Sequence, residues 1–139
     1  MRVLVADDQK SVGTSLAELV SQCQHEVVQV VGSGLEAIQA YARHRPDAVV
    51  MDYRMPKLNG ATACRYILAN HPHARIILIS GWASDQLLDS GALSVLEKPV
   101  TLDQLQRALN AAVGPDNAAR QEPSVPQEDS PVANQPPQV

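Results

Sequence analysis

The sequence predicts an α/β protein whose five parallel strands are covered by helices on both faces. Five short apolar runs recur between residues 2 and 97, and each has the length of a buried strand rather than of a helix. An amphipathic helical pattern follows each run. This alternation implies right-handed crossover connections and therefore parallel strand pairing, so we expect a (βα)5 arrangement with a buried sheet.

The elements follow one another in a regular order. The strand-like runs are Arg2 to Ala6, Glu26 to Val31, Ala48 to Met51, Arg75 to Ser80 and Leu93 to Glu97. Apolar residues with helical spacing lie between Ser11 and Cys23, between Leu35 and Ala42, and between Ala63 and Leu68. Only one short helix fits between the fourth and fifth strands, at about 84–89.

A last helix begins at a capping box, with Thr101 as the N-cap and Gln104 returning the hydrogen bond. Gly114-Pro115 is predicted to end it, so residues 1–114 form the predicted domain. The segment 115–139 holds six of the ten prolines and few large apolar side chains. We expect it to be a disordered tail, or a linker to a second domain.

Composition and charge exclude several classes of function. The formal net charge is -4 for the whole chain and about -1 for residues 1–114, which gives no electrostatic footprint for nucleic acid and none for an anionic membrane. The sequence contains no apolar span of membrane length and no cleavable leader pattern. Cys23 and Cys64 lack metal-ligand spacing, so both are expected to be reduced and buried, and the protein is expected to be cytoplasmic.

Functional side chains stand at the ends of four of the five strands. They are Asp7 and Asp8, Asp52, Ser80, and Lys98. In an open parallel sheet, reactive groups collect beyond the carboxyl ends of the strands. Three carboxylates brought together there would repel one another, and a hard divalent cation such as Mg2+ would offset that repulsion. A carboxylate beside such an ion can attack phosphorus, with the ammonium and the hydroxyl neutralising the transferred group.

The same residues carry a resemblance to a known family. Asp7-Asp8, Asp52 followed by Met55-Pro56 and Gly60, then Ser80 and Lys98-Pro99 resemble the signature of bacterial two-component response regulator receiver domains. The resemblance covers residues 1–114. It implies a flavodoxin-like, doubly wound fold with strand order 2-1-3-4-5, and this order comes from the family rather than from the periodicity.

The resemblance also implies a role for each site residue. Asp52 would be the phosphoacceptor, Asp8 a direct Mg2+ ligand, Asp7 a ligand acting largely through water, and Arg54 a ligand through its backbone carbonyl. Ser80 and Lys98 would bind the phosphoryl group. Pro56 and Gly60 would be structural, and the Lys98-Pro99 bond would be cis, as only X-Pro bonds commonly are.

The implied function is a phosphorylation-dependent signalling switch that catalyses only its own modification. Its phosphodonor would be a histidine kinase or a histidine phosphotransfer protein. An effector domain, a partner protein or a homodimer would carry the output, and the sequence leaves these three open. A haloacid-dehalogenase-like hydrolase would need a second Asp two residues after the nucleophile, where Arg54 stands.

Two features depart from the family pattern on the expected output face. Val95 occupies a position where receivers usually have Tyr or Phe, and the stretch from Ser80 to Lys98 is about one helical turn shorter than is common. Arg54 and Trp82, each two residues past a site residue, are also larger than the residues many relatives carry there. Val95 and the shortened stretch favour an alternative, a constitutive protein interaction module that keeps the pocket but no longer switches.

Overall fold

The sheet contains five parallel strands in the order β2-β1-β3-β4-β5, as the sequence resemblance predicted. The computed structural model describes residues 1–81, 87 and 89–121. The strands in this part of the chain are β1 (Arg2–Ala6), β2 (Glu26–Val31), β3 (Ala48–Asp52), β4 (Ile76–Ser80) and β5 (Ser94–Glu97). The helices are α1 (Lys10–Gln22), α2 (Gly34–His44), α3 (Gly60–Asn70) and α4 (Leu102–Gln121).

The bounds of the strands agree closely with the sequence prediction, and those of β1 and β2 match it at both ends. Of the predicted short helix at 84–89, the structure describes only Leu87, which is helical, and Asp89, which lies in a turn. No helix among the described residues is both long and apolar enough to cross a membrane.

The sheet separates two layers of core. On β4, Ile76 and Leu78 point into the layer beneath α2 and α3, while Ile77 and Ile79 point into the layer beneath α1 and α4. Successive side chains of a strand face opposite sides of the sheet, so this apolar run fills both layers. All residues of β3 and β4 are buried. Packing on both faces of the sheet therefore fixes the position of the carboxyl ends of these two strands.

The helix α4 begins as predicted but ends later. The Gln104 N–H donates to Thr101 Oγ1 at 3.2 Å, and the Thr101 N–H donates to Gln104 Oε1 at 3.1 Å, which confirms the capping box. The helix then continues through Gly114 and Pro115 to Gln121, so the predicted helix end is wrong. Proline fixes φ near the helical value, and the Ala-Ala-Arg-Gln run at 118–121 consists of good helix formers. The rest of the predicted tail, 122–139, lies outside the described residues.

Candidate functional site

The functional side chains predicted at the strand ends lie at one edge of the sheet. Asp7 and Asp8 follow β1, Asp52 ends β3, Ser80 ends β4, and Lys98 follows β5. The strand order places β1 beside β3, with β2 and β4 on their outer sides, so the chain reverses direction across the sheet between β1 and β3. This reversal opens the crevice in which the acidic residues meet.

Three carboxylates form a tight acidic cluster in that crevice. One oxygen from each of Asp7, Asp8 and Asp52 lies within 4.8 Å of the other two. Asp7 and Asp52 are 2% and 3% exposed, whereas Asp8 faces solvent. Asp7 Oδ1 accepts a hydrogen bond from the Gln9 backbone N–H at 2.8 Å, while its buried Oδ2 has no hydrogen-bond partner among the residues that the structure describes.

The charges in the cluster are only partly compensated. Burial raises the pKa of Asp52, the Lys98 ammonium opposes that rise, and the charge of Asp8 adds to it. Burial likewise raises the pKa of Asp7, the Gln9 N–H opposes it, and the charge of Asp52 adds to it. Hard oxygen ligands, excess negative charge and an orphaned buried oxygen together fit a divalent cation such as Mg2+.

Lys98 reaches the cluster from the opposite side of the crevice. Its Nζ lies 2.9 Å from Asp52 Oδ1, and its side chain is 36% exposed. The Lys98 backbone N–H donates to the Ser80 carbonyl at 2.8 Å, which fixes the start of this loop against β4. The Lys98-Pro99 peptide bond is cis, as predicted.

A cleft of about 250 Å³ opens directly beside Asp52. Besides Asp52 and Lys98, it is lined by Gln9, Tyr53, Arg54, Ser80 and Gly81. Ser80 is 4% exposed, so its side chain belongs to the inner wall of this cleft rather than to the outer surface. The cleft has room for a phosphoryl-sized group between a carboxylate, an ammonium and a hydroxyl.

The segment between β3 and α3 is packed against the backbone of Asp52. The Tyr53 N–H donates to the Ile79 carbonyl at 2.7 Å, and the Gly60 N–H donates to the Tyr53 carbonyl at 2.8 Å. A Cβ at Gly60 would lie 2.9 Å from Tyr53 Cα and closer still to the Asp52 carbonyl oxygen. Only glycine allows α3 to start so near the functional carboxylate.

The segment between β3 and α3 contains a tight turn at residues 56–58. The Leu58 N–H donates to the Pro56 carbonyl at 2.7 Å, and Lys57 has a φ of 69°. Asn59 Oδ1 accepts from the Thr62 N–H at 2.9 Å and so caps α3. Proline and an Asn N-cap together fix where the turn begins and where the helix starts.

The remaining predicted residues lie in different surroundings. Arg54 is exposed, lines both the Asp52 cleft and a neighbouring cleft beside Asp8, and its charge lowers the pKa of Asp52. Val95 is outside the crevice: it pairs in register with Leu78 and packs half-buried against the core layer beneath α2 and α3. Trp82 lies outside the described residues.

The sequence prediction missed three residues that line the Asp52 cleft, namely Gln9, Tyr53 and Gly81. The backbone N–H of Gln9 also donates to Asp7 Oδ1. All three could have been found from position, since each stands one residue beyond a predicted site residue.

Comparison with known proteins gives a consistent result. The sequence profile of the response regulator receiver domain matches residues 3–110. The transcriptional regulatory protein PdtaR of Mycobacterium tuberculosis is 34% identical over 116 residues, which are 81% of this chain and 56% of PdtaR. The chain therefore spans about half the length of that relative.

Two further relatives are matched over nearly their whole length. The chemotaxis protein CheY of Listeria monocytogenes is 30% identical, with 81% of this chain and 98% of CheY covered. The receiver domain of a sensor histidine kinase from Pseudomonas aeruginosa superimposes with a TM-score of 0.74 at 29% identity, covering 81% of this chain and 97% of that one. That structure has a magnesium ion coordinated in its active site cleft.

Proposed function

Since the chain belongs to the response regulator receiver family, we propose that it is a signalling switch that accepts a phosphoryl group on Asp52. The observation that carries this proposal is the ion pair between Asp52 Oδ1 and Lys98 Nζ, at 2.9 Å, inside a cluster of three carboxylates. A buried carboxylate held between negative neighbours and one ammonium suits reversible acceptance of an anionic group. The phosphodonor is a histidine kinase or a histidine phosphotransfer protein.

The transfer forms one bond and breaks another. A carboxylate oxygen of Asp52 attacks the phosphorus, and the bond from phosphorus to the donor nitrogen breaks. The donor imidazole leaves with the bonding electron pair. Lys98 and Ser80, which line the same cleft, neutralise the phosphoryl oxygens by charge and by O–H donation.

A divalent cation completes the charge balance of the site. Asp7, Asp8, Asp52 and the Arg54 backbone carbonyl are the groups that would hold Mg2+. When bound, Mg2+ supplies positive charge that neutralises the acidic cluster and the incoming phosphoryl oxygens. The orphaned Oδ2 of Asp7 supports this assignment, because a buried carboxylate oxygen without a donor otherwise costs stability.

The protein acts as a substrate of its own chemistry rather than as a metabolic enzyme. Arg54 stands two residues after Asp52, where a hydrolase of the haloacid dehalogenase kind would need a second Asp. The output would be read by an effector domain, a partner protein or a second copy of the chain.

The test is intact-mass measurement after incubation with acetyl phosphate and Mg2+. We expect one phosphoryl adduct in the wild-type protein and none in Asp52→Asn or in the presence of a chelator. Asp103→Asn is the matched control, because Asp103 is 70% exposed on α4 and should label normally. An adduct that persists in Asp52→Asn would place the acceptor elsewhere and contradict the proposal.

A constitutive interaction module is the second candidate, and Val95 favours it. Val95 packs half-buried against the core and has too few atoms to swing between a buried and an exposed position. Hydrogen exchange with and without a phosphoryl mimic separates the two candidates. Protection changes confined to the segment after Asp52, with none at 84–97, indicate that the usual output face does not respond. Large changes at 84–97 indicate a switch of the usual kind.

A further inference from the structure

A second polar cavity lies at the opposite edge of the sheet from Asp52. It has a volume of about 360 Å³, is open to solvent, and lies between the ends of α2 and α3 and the starts of β3 and β4. Its lining includes Tyr41, Arg45, Asp47, Asn70, His71 and Arg75. The length of β3, five residues or about 17 Å, separates this cavity from the acidic cluster. We propose that it binds a small organic phosphate.

Two cations line the cavity without an acidic partner. Neither Arg45 nor Arg75 forms an ion pair with a carboxylate in the described part of the chain. Asp47 also lines the cavity, but its Oδ2 accepts the Arg2 backbone N–H at 2.8 Å. Guanidinium groups pair with phosphate through parallel N–H donors, so two of them at one cavity suit a phosphate better than a monovalent cation or a neutral ligand.

Tyr41 adds a hydroxyl group to the lining of the same cavity. The residue is 7% exposed, and its ring lies against the His71 ring with centroids 4.8 Å apart. Its hydroxyl has no hydrogen-bond partner among the described residues. Burial raises the pKa of Tyr41, the charges of Arg45 and Arg75 oppose the rise and the charge of Asp47 adds to it, so the hydroxyl stays protonated at neutral pH.

Arg45 closes α2 through its backbone, whose N–H donates to the Tyr41 carbonyl at 2.8 Å, so its guanidinium group is not used for that purpose. The Arg2 guanidinium already donates to the carbonyls of His44 at 2.7 Å and Arg45 at 3.4 Å, at the end of α2. The end of α3 is closed by the His71 N–H, which donates to the Ile67 carbonyl. The cavity size also lies within the range of about 300–1,000 Å³ that small-molecule sites occupy.

The test is an NMR titration of the full chain with inorganic phosphate and with glycerol phosphate, in chelator to prevent Mg2+-dependent binding near Asp52. Chloride at equal ionic strength is the salt control. We expect saturable shift changes at 41–47 and 70–75, with a dissociation constant on the order of 1 mM or tighter for glycerol phosphate. The residues around Asp52 should show no such shift changes. Binding at this cavity is therefore measured separately from phosphorylation of Asp52.

The variants remove one donor at a time. Arg75→Ala should weaken binding about tenfold or more, since it deletes one charge-assisted pair. Arg45→Gly removes the other guanidinium and suits the φ of 47° at that position, so the fold is retained. Tyr41→Phe keeps the ring and removes the hydroxyl.

Arg43→Ala is the matched control, because Arg43 is exposed on the same helix and does not line the cavity. Chemical-shift changes that do not saturate and that equal those caused by chloride would overturn the assignment. An effect of Arg43→Ala as large as that of Arg75→Ala would overturn it as well.

Discussion

The contact between Gly60 and the backbone of Asp52 makes Gly60→Ala an informative change. The added Cβ would lie 2.9 Å from Tyr53 Cα, whereas ordinary contact begins at 3.4 Å, so the backbone must move by at least 0.5 Å (3.4 − 2.9). Overpacking of this kind costs about 1–3 kcal/mol, and the better helix propensity of alanine returns up to about 1 kcal/mol. We expect a net loss of about 1–2 kcal/mol, or about 4–8 °C in melting temperature at about 4 °C per kcal/mol.

The same displacement should slow phosphorylation, because the carbonyl that must yield belongs to the acceptor residue itself. A misplacement of 1 Å costs about 100-fold in rate, and the Asp52 carbonyl, which lies closer to the added Cβ than Tyr53 Cα does, must move by more than half that distance, so we expect uptake from acetyl phosphate to slow about tenfold or more. Thermal unfolding and intact-mass time courses measure the two effects.

Gly81→Ala is the control for this experiment, since a Cβ at Gly81 meets nothing within 4 Å in the described part of the chain, although the residue also lines the Asp52 cleft. It should melt within about 2 °C of the wild type. If Gly60→Ala proves as stable as Gly81→Ala and labels at the wild-type rate, the close approach of α3 does not position Asp52.

Two further predictions concern the charges around the acceptor. Burial raises the pKa of Asp7 and Asp52 above 3.8, so the folded protein holds these protons more tightly than the unfolded chain. Without Mg2+, the free energy of unfolding should therefore fall as the pH rises from 3.8 through the raised pKa values, and urea titrations should show a smaller fall in Asp52→Asn. An equal slope in that variant would contradict this reasoning. Arg54→Asn should speed loss of the phosphoryl adduct about tenfold, for about 1.4 kcal/mol of barrier, because a guanidinium cannot accept a hydrogen bond from the attacking water whereas an amide can. If the phosphoryl adduct is lost at the same rate or more slowly in the variant, the Arg54 side chain does not limit attack by water in the cleft.

The crevice residues could be predicted from the sequence because topology alone brings strand ends together. A run such as Ala48 to Met51 fixes a strand, and the residue that ends it must lie at the carboxyl edge. Asp52, Ser80 and Lys98 therefore converge wherever the strands are parallel and adjacent. The strand order itself needed the family resemblance, since periodicity does not specify which strands are neighbours.

Features formed between irregular segments could not be predicted in the same way. The second polar cavity forms where residues 45–47 and 70–75 come together in space, and the apolar pattern of neither stretch predicts that contact. The sequence predicts a structural role for Gly60, but it does not specify how closely Gly60 approaches the backbone of Asp52, because that distance depends on how the segment between them folds. The end of α4 was misjudged because a Gly-Pro pair is a strong stop signal, but not an absolute one.

The division of the core by the sheet has a consequence for how this sequence can diverge. Leu78 and Ile79 are neighbours in the chain, yet one belongs to the layer beneath α2 and α3 and the other to the layer beneath α1 and α4. Each layer must conserve its own volume, but neither constrains the volume of the other, because the strand backbone stands between them. Homologous lineages can therefore exchange apolar residues within one layer while the other stays unchanged. The apolar faces of α2 and α3 can therefore change independently of those of α1 and α4, while the acidic crevice stays at the common edge of the sheet.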